Sequence, residues 1–262
     1  MYYYKKLIPF FVKSIHQSNT NIMIPTHISQ HKPNNNVLIF DVETNGLIPY
    51  KVPINIRNIT KMPYILQLSY TIYDSKKKKI IKKYDSHIQI PNHVEIPKAI
   101  TELTGIDKKK CKKGKHILAV LKDLYEGYMK CDTIVAHNLK FDRNMVLVEL
   151  TRNGMLLSQS MPYIFTMFNE NYHTKYNIKT YCTMQNSIDI CNIMVPAKTE
   201  GKPPYKKWPK LSELYGFLFT DEEMPENLHN SYIDTLVCLR CYLKIAHSIE
   251  VVDFDQLCKE MA

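Results

Sequence analysis

The sequence predicts an α/β fold in which helices flank a five-stranded sheet whose strands run in mixed directions. Three apolar segments with strand patterns follow one another over residues 37–90, and helical and strand patterns alternate over the rest of the chain. Strands followed by alternating helices and strands are typical of a layered α/β sheet. No internal repeat is visible in the sequence.

The predicted strands are rich in Ile, Val and Tyr. VLIFDVE (37–43), ILQLSYTIYD (65–74) and IIKKYDSHIQI (80–90) form a meander, with a lysine-rich turn at residues 76–79 between the last two. DTIVAHN (132–138) is the fourth strand, and residues 181–183 are a short fifth.

The predicted helices lie between and after the later strands. A short helix in IPKAITELTGID (96–107) ends at Gly105, and HILAVLKDLYEGYMK (116–130) has apolar residues at helical spacing. FDRNMVLVELTRNG (141–154) is a helix stopped by Gly154. Residues 210–219 and 230–248 are the last two predicted helices.

Composition indicates one soluble domain. The chain has 262 residues, 45% hydrophobic and 23% charged, which is enough for a single core. No apolar run approaches the roughly 20 residues that span a bilayer, so we expect no membrane partner. Seven cysteines at irregular spacing form neither a zinc pattern nor a disulfide framework, which indicates a reducing compartment.

We expect the domain to occupy residues 36–250, after an N-terminal extension at 1–35 and before a C-terminal tail at 251–262. Residues 1–36 contain no Asp or Glu and include an Asn-Asn-Asn tract, as in an unstructured arm. A mitochondrial leader is the minority interpretation, because such leaders favour Arg. Otherwise we expect an intracellular protein, cytoplasmic or nuclear, and a virus-encoded one is compatible with the composition.

The charge indicates a polyanionic partner. Lys and Arg exceed Asp and Glu by 35 to 25, a net charge of +10. The lysines cluster in three runs: residues 76–83, residues 108–115 and residues 198–210. Any single run is equally well a solvated turn, but three together favour nucleic acid.

Four carboxylates and one histidine raise a question of chemistry. The apolar strand at residues 37–40 ends in Asp41 and Glu43, which lie two apart and therefore on one face. Asp142 falls in the first turn of a helix, and Asp234 lies in the last helix. His229 lies in the loop before that last helix, whose N-cap is residue 230 or 231. Taken singly, each has a simpler interpretation as a strand end, a helix-terminal charge, a surface residue or a loop residue. Taken together they indicate a site.

Three ordered motifs resemble the DnaQ-like 3′ to 5′ exonucleases of the DEDD superfamily, in the subgroup whose last motif carries histidine. FDVETNGL (40–47) is similar to the first motif, F-D-x-E-T-T-G-L, with Asn45 in place of the second threonine. AHNLKFDRNMV (136–146) is similar to the second, and HNSYID (229–234) to the third. The resemblance covers residues 36–250 and implies an RNase H-like form of the predicted sheet.

The resemblance implies a metal-dependent hydrolase. Asp41, Glu43, Asp142 and Asp234 would hold two divalent cations about 4 Å apart, Mg²⁺ or Mn²⁺, which prefer oxygen ligands. His229 would act as the general base towards water, because an imidazole titrates near neutral pH. The expected reaction releases nucleoside 5′-monophosphates from a free 3′ end that is single-stranded or frayed.

The resemblance also implies the substrate contacts. Thr44, Asn45, Gly46 and Leu47 would cradle the terminal nucleotide, with backbone amides towards its sugar and Leu47 against its base. Asn138 would make a polar contact to the nucleic-acid strand, although its interpretation as a turn-forming residue before the helix stays plausible. The segments at residues 48–63 and 155–178 would either flank the groove that binds the substrate or pack elsewhere in the protein. For any one aromatic side chain in them we slightly favour packing over base stacking.

Alternatives to a DNA exonuclease remain at this point. An exoribonuclease would differ in contacts to the 2′-OH, which the sequence does not locate. A nuclease that cuts internally, and a binding module without catalysis, share the fold. A module of that kind is expected to have lost acidic or histidine positions, whereas all five are present here. A homodimer and a replication or repair partner both stay open.

Overall fold

The computed structural model describes residues 34–197, 199, 201–225 and 228–249. The predictions made for the N-terminal extension up to residue 33 and for the tail lie outside the described residues, so the domain limits stay predictions.

A mixed five-stranded sheet forms the centre of the fold. Its strands stand in the order β3-β2-β1-β4-β5. The pairs β1/β2 and β2/β3 are antiparallel, and the pairs β1/β4 and β4/β5 are parallel. The strands are β1 (Asn36–Thr44), β2 (Ile65–Asp74), β3 (Lys79–His87), β4 (Thr133–Ala136) and β5 (Lys179–Cys182), and a separate two-stranded ribbon contains β6 (Met194–Val195) and β7 (Tyr205–Lys206).

Helices cover both faces of the sheet. They are α1 (Lys98–Thr104), α2 (Lys108–Lys113), α3 (Ile117–Tyr128), α4 (Leu139–Arg152), α5 (Gly154–Ser160), α6 (Glu170–Tyr176), α7 (Thr183–Asn186), α8 (Ile188–Cys191), α9 (Leu211–Leu218) and α10 (Ser231–His247), with 3₁₀ turns at Ile59–Lys61 and Pro162–Thr166. The predicted α/β class and its mixed sheet are confirmed.

The alternation of side chains along β1 divides the core into two layers. Leu38 and Phe40 face a cluster built from α3, α4 and the segment that follows α4. Val37 and Ile39 face the other way, into a cluster with α10. Because successive side chains of a strand point to opposite faces, Asp41 follows Val37 and Ile39 onto the α10 face.

The register of the sheet aligns polar side chains on that same face. Asp41 is paired with Ser69 of β2, and Ser69 is paired with Asp85 of β3. Glu43 is likewise paired with Gln67. The end of β1 that carries the carboxylates therefore lies against a row of polar side chains instead of apolar ones.

Helix termini place the other two acids. Asn138 adopts a left-handed conformation with φ 68° directly before α4, so that the chain turns from β4 into the helix. Asp142 then falls in the first turn, as predicted. The Asn230 side chain caps α10 by accepting a hydrogen bond from Tyr232 N, and Asp234 falls in the first turn of that helix.

Three parts of the structure differ from the prediction or add to it. Residues 181–183 do not form a strand as a unit, because β5 occupies Lys179–Cys182 and Thr183 begins α7. The second lysine run forms helix α2, which Asp107 caps by accepting from Lys110 N. The segment at 155–178 packs into the core through Leu157 and Tyr172, as the packing alternative expected.

Other features are simpler. Within the described ranges no helix combines the length and apolar character required to cross a bilayer. The six cysteines of the described part of the chain are all buried free thiols.

Candidate active site

Three carboxylates converge at the end of β1. Asp41 and Glu43 extend from one face of the strand, and Asp234 reaches them from the first turn of α10. Ligand oxygens of these three residues lie within 4.8 Å of one another. This is the only such group of potential metal ligands among the residues that the structure describes.

Asp142 joins the group from the opposite side of β1. Its side chain is buried, and its Oδ1 accepts a hydrogen bond of 3.2 Å from Val42 N, the residue between the two strand acids. The structure therefore brings together all four acids that the sequence singles out, with three of them in mutual reach and Asp142 fixed to the backbone.

The electrostatics of the site disfavour four ionised groups. Burial raises the pKa of Asp41 well above its usual range, and the charges of Asp142, Asp234 and Glu43 raise it further. Burial, followed by Asp234 and Asp142, raises the pKa of Glu43 to about 8. Burial raises the pKa of Asp234 to about 7, against the opposing hydrogen bond from His229 N. The pKa of Asp142 is also raised, mainly by burial.

Among the described residues, no ion pair with a basic side chain relieves this repulsion. None of the ion pairs formed by the described residues involves any of the four acids. Carboxylates that are crowded together and half-buried or buried, as here, are costly unless a proton or a cation neutralises them. A cluster of carboxylate oxygens is also the donor set that Mg²⁺ and Mn²⁺ prefer. The residues present fit a divalent cation.

His229 lies at the entrance to α10. It precedes the Asn230 cap and has φ 70°, a left-handed conformation that is uncommon for a residue with a side chain. Its N–H donates to Asp234 Oδ2 at 3.3 Å, and its side chain is exposed. The prediction that His229 precedes the helix in a loop is confirmed, and its backbone is bonded to one of the carboxylates.

The loop after Glu43 forms one wall of a cavity of about 410 Å³. Thr44 Oγ1 donates to Gly46 O at 2.7 Å, which closes the turn, and Leu47 is 80% exposed above it. Residues 60–64 and 93–95 form the other walls. Gly46 has open space around its Cα, so that this wall is not crowded by neighbouring atoms.

Asn45 holds these walls together. Its Oδ1 accepts from Tyr64 N at 2.7 Å, and its Nδ2 donates to Glu95 O at 3.0 Å. The expected contact from Asn45 N–H to a sugar is not available in this conformation, because that group already donates to Tyr64 O. The departure from threonine at this position thus has a structural consequence: the longer amide bridges two segments.

Helix α4 anchors the far wall. Arg152 donates to the carbonyl oxygens of Met62 and Pro63 at 3.0 and 2.8 Å, and its guanidinium lies 3.7 Å from the centre of the Tyr64 ring. Glu149 pairs with Arg152 in the same place. The insertion at 48–63 is therefore tied to the helix that carries Asp142, and its end lines the cavity.

Asn138 forms the turn that the sequence expected, and its contact with a nucleic-acid strand stays a prediction. Its positive φ makes the turn into α4. Its side chain makes no hydrogen bond to the described residues and does not cap the helix. The amide is therefore unbonded within the described part of the chain, four residues before Asp142.

A polar row across the sheet was not predicted. Asp85 accepts hydrogen bonds from Ser69 Oγ at 2.6 Å and from Gln67 Nε2 at 2.8 Å. Ser69 Oγ in turn lies 2.6 Å from Ser231 Oγ at the start of α10. The available signal was the alternation of polar residues at 67, 69 and 71 in an otherwise apolar strand, which marks one face of β2 as polar.

Solved structures with a similar fold include E. coli Exonuclease I in complex with a dA16 oligonucleotide, at 14% identity and a TM-score of 0.52, covering 82% of this chain and 42% of that one. The same enzyme in complex with a dT13 oligonucleotide is 15% identical, with a TM-score of 0.51, and the match covers 80% of this chain and 41% of that one. Cell-death related nuclease 4 is 15% identical, with a TM-score of 0.49, and the match covers 84% of this chain and 66% of that one. The chain thus spans less than half the length of Exonuclease I.

No curated protein matches the chain significantly. The family model described as Exonuclease, RNase_T, matches residues 38–242, a range that contains all four carboxylates and His229. The RNase H-like fold agrees with this match. The chain therefore belongs to the exonuclease family, within the DEDD superfamily of 3′ to 5′ exonucleases.

Proposed function

We propose that the protein is a metal-dependent 3′ to 5′ exonuclease that releases nucleoside 5′-monophosphates from single-stranded or frayed ends, with DNA as the favoured substrate. The observation that carries the proposal is the convergence of Asp41, Glu43 and Asp234 within 4.8 Å, with no ion pair to any described basic residue, in a chain of the exonuclease family. DNA is favoured because Exonuclease I, which has a similar fold, is bound to dA16 and dT13.

Asp41, Glu43 and Asp234 would hold divalent cations directly, and Asp142 would act partly through water, since its Oδ1 is already bonded to Val42 N. When bound, such cations polarise the scissile phosphate and lower the pKa of a water molecule. In the metal-free protein the same carboxylates hold protons more tightly than usual, because burial raises the pKa values of Glu43 and Asp234.

His229 would take the proton from the attacking water. Its side chain is exposed beside the site, and its backbone bond to Asp234 keeps it at the helix entrance. General-base catalysis of this type contributes about 10²- to 10⁴-fold in rate. With His229 as the base, the protein would fall in the histidine-containing subgroup of the superfamily.

The terminal nucleotide would lie against the loop at residues 44–47. Leu47 offers an exposed apolar side chain for the base, and Asn138 offers an unbonded amide for the strand. We expect only a strand end that is free of its complement to react, because the scissile phosphate must reach the cations that the carboxylates at the end of β1 would hold.

The test is digestion of 5′-labelled single-stranded DNA and RNA in Mg²⁺, in Mn²⁺ and in EDTA. We expect a ladder that shortens from the 3′ end with metal, is lost in Asp41→Ala and is about 10²- to 10⁴-fold slower in His229→Ala. Asp221→Ala, an exposed acid outside the site, is the matched control and should behave as wild type.

Each other outcome points elsewhere. Faster loss of RNA would make the protein an exoribonuclease. Internal cuts would identify a nuclease of another kind. Salt-sensitive binding without any cleavage in either metal would contradict the proposal and indicate a binding module.

A further inference from the structure

The chain contains a basic and aromatic surface on the ribbon of β6 and β7 that the proposed chemistry does not use. We define the ribbon surface as Lys202, Tyr205, Trp208 and Lys210. Trp208, the only tryptophan of the chain, is 60% exposed, and Tyr205 is 49% exposed. Large aromatic side chains are mostly buried in proteins, so two exposed ones within four residues of each other require an explanation.

The charge of the ribbon surface is available for a partner. Lys202 and Lys210 are exposed and form no ion pair with the described residues. The neighbouring Lys206 and Lys207 are different, because they pair with Asp189 and Glu213. The ammonium groups of Lys202 and Lys210, which form no ion pair with the described residues, therefore lie on both sides of the two aromatic rings along the chain, and the charge of Lys210 also helps to lower the pKa of Glu213.

A hydrogen bond ties this surface to the catalytic edge of the sheet. His137 Nε2 donates to Pro209 O at 3.1 Å, next to Trp208, while His137 Nδ1 accepts from Thr183 Oγ1 at 3.0 Å. The direction follows because a carbonyl oxygen only accepts. His137 directly precedes Asn138, which begins the turn leading to Asp142. The hydrogen bond thus connects the residue after Trp208 to the residue before the turn that leads to Asp142.

We propose that the ribbon surface binds the single-stranded nucleic acid upstream of its 3′ end, with bases stacked on Trp208 and Tyr205 and phosphates bound by Lys202 and Lys210. This inference rests on the proposed exonuclease function, because the bound strand is the one whose 3′ end enters the active site. Exposed aromatics between unpaired lysines form a stacking platform for single strands, since every base offers an aromatic face. An apolar protein partner would gain nothing from the two unpaired ammonium groups.

The single tryptophan provides a direct measurement. The full-length protein in EDTA is titrated with an unlabelled oligothymidylate of about 12 nucleotides while tryptophan fluorescence is followed. We expect saturable quenching, because stacking brings a base into contact with the only indole. In EDTA no strand is cleaved, so the signal reports binding alone.

Variants then test the residues, with binding measured by anisotropy of a labelled oligonucleotide. Trp208→Ala should weaken binding about 5- to 100-fold, whereas Trp208→Phe should retain most of it. Replacement of Lys202 and Lys210 by Gln should reduce the slope of log affinity against log salt by about 0.7 per lost contact. The matched controls are Tyr163→Ala, 40% exposed elsewhere, and Lys122→Gln on α3, which covers the opposite face of the sheet.

Two results would overturn the inference. One is an unquenched tryptophan together with wild-type affinity in Trp208→Ala. The other is a fluorescence change that follows protein concentration without oligonucleotide, which would make the surface an interface between copies. If the first result is accompanied by shortening of DNA in Mg²⁺, it refutes this inference alone, while quenching without shortening refutes the exonuclease function alone.

Discussion

The contact between Ser69 and Ser231 predicts how strongly helix α10 is held on the sheet. Both side chains are fully buried, and their hydroxyl oxygens lie 2.6 Å apart. Ser69 Oγ also lies 2.6 Å from Asp85 Oδ1. Because an ionised carboxylate only accepts, Ser69 donates to Asp85, and Ser231 must donate to Ser69.

This order of donors makes the two serines unequal. Ser69→Ala removes a charge-assisted bond and leaves the Ser231 hydroxyl buried without a partner, a loss of about 3 kcal/mol in unfolding free energy. Ser231→Ala removes one neutral bond, about 1 kcal/mol. In the double variant no hydroxyl is stranded, so we expect a total of about 3 kcal/mol and a coupling of about 1 kcal/mol.

Urea denaturation followed by circular dichroism measures all four proteins, with an unchanged dependence on urea as the sign that only stability has changed. Additive losses, within about 0.5 kcal/mol, would refute the reasoning, because independent sites add and a shared hydrogen bond does not.

Three further predictions follow from single side chains. Gly127→Ala places a Cβ 2.9 Å from the buried Tyr70 ring, so calorimetry should show a loss of about 1 kcal/mol despite better helix propensity, whereas Gly154→Ala, with open space, should lose nothing. Burial lowers the pKa of His173 to about 4, so on acidification the unfolded chain takes up a proton before the folded protein does. Between pH 7 and pH 4 the wild type should therefore lose about 3 kcal/mol of unfolding free energy relative to His173→Gln. Parallel urea midpoints of the two proteins over that range would contradict this prediction. Asn45→Ala loses both side-chain bonds to the cavity walls, so steady-state kinetics should show KM rising more than kcat falls, and an unchanged KM would count against the wall-bridging role.

Local patterns were sufficient for the elements that bury a regular stripe or face. Strand β2 was predicted at its observed bounds because apolar residues fill it, and α3 was predicted because its apolar residues recur at helical spacing. Helix α2 was missed as a helix, since six residues of sequence KKKCKK have no such stripe and bury only Cys111. Its existence depends on a cap and on packing, which composition does not reveal.

In the candidate site, too, local patterns predicted some features, whereas contacts between residues far apart in the chain were missed. The common face of Asp41 and Glu43 follows from a period of two, and the place of Asp142 follows from the start of a helix. The contact between Ser69 and Ser231 joins residues 162 apart in the chain, and no spacing rule predicts such a partner. The hydrogen bond from His137 to Pro209 is equally remote, with a separation of 72 residues.

Strand β3 lies at one edge of the five-stranded sheet, and another chain's strand can extend such an edge. Lys79, Lys82 and Lys83 stand along that edge, and Lys82 is held by Asp123 at 2.7 Å beside the Tyr70 ring. Like charges brought edge to edge repel each other, so these lysines protect the sheet from aggregation whatever they bind. Concentrated salt, which screens that repulsion, should therefore make the protein more prone to form intermolecular β-structure.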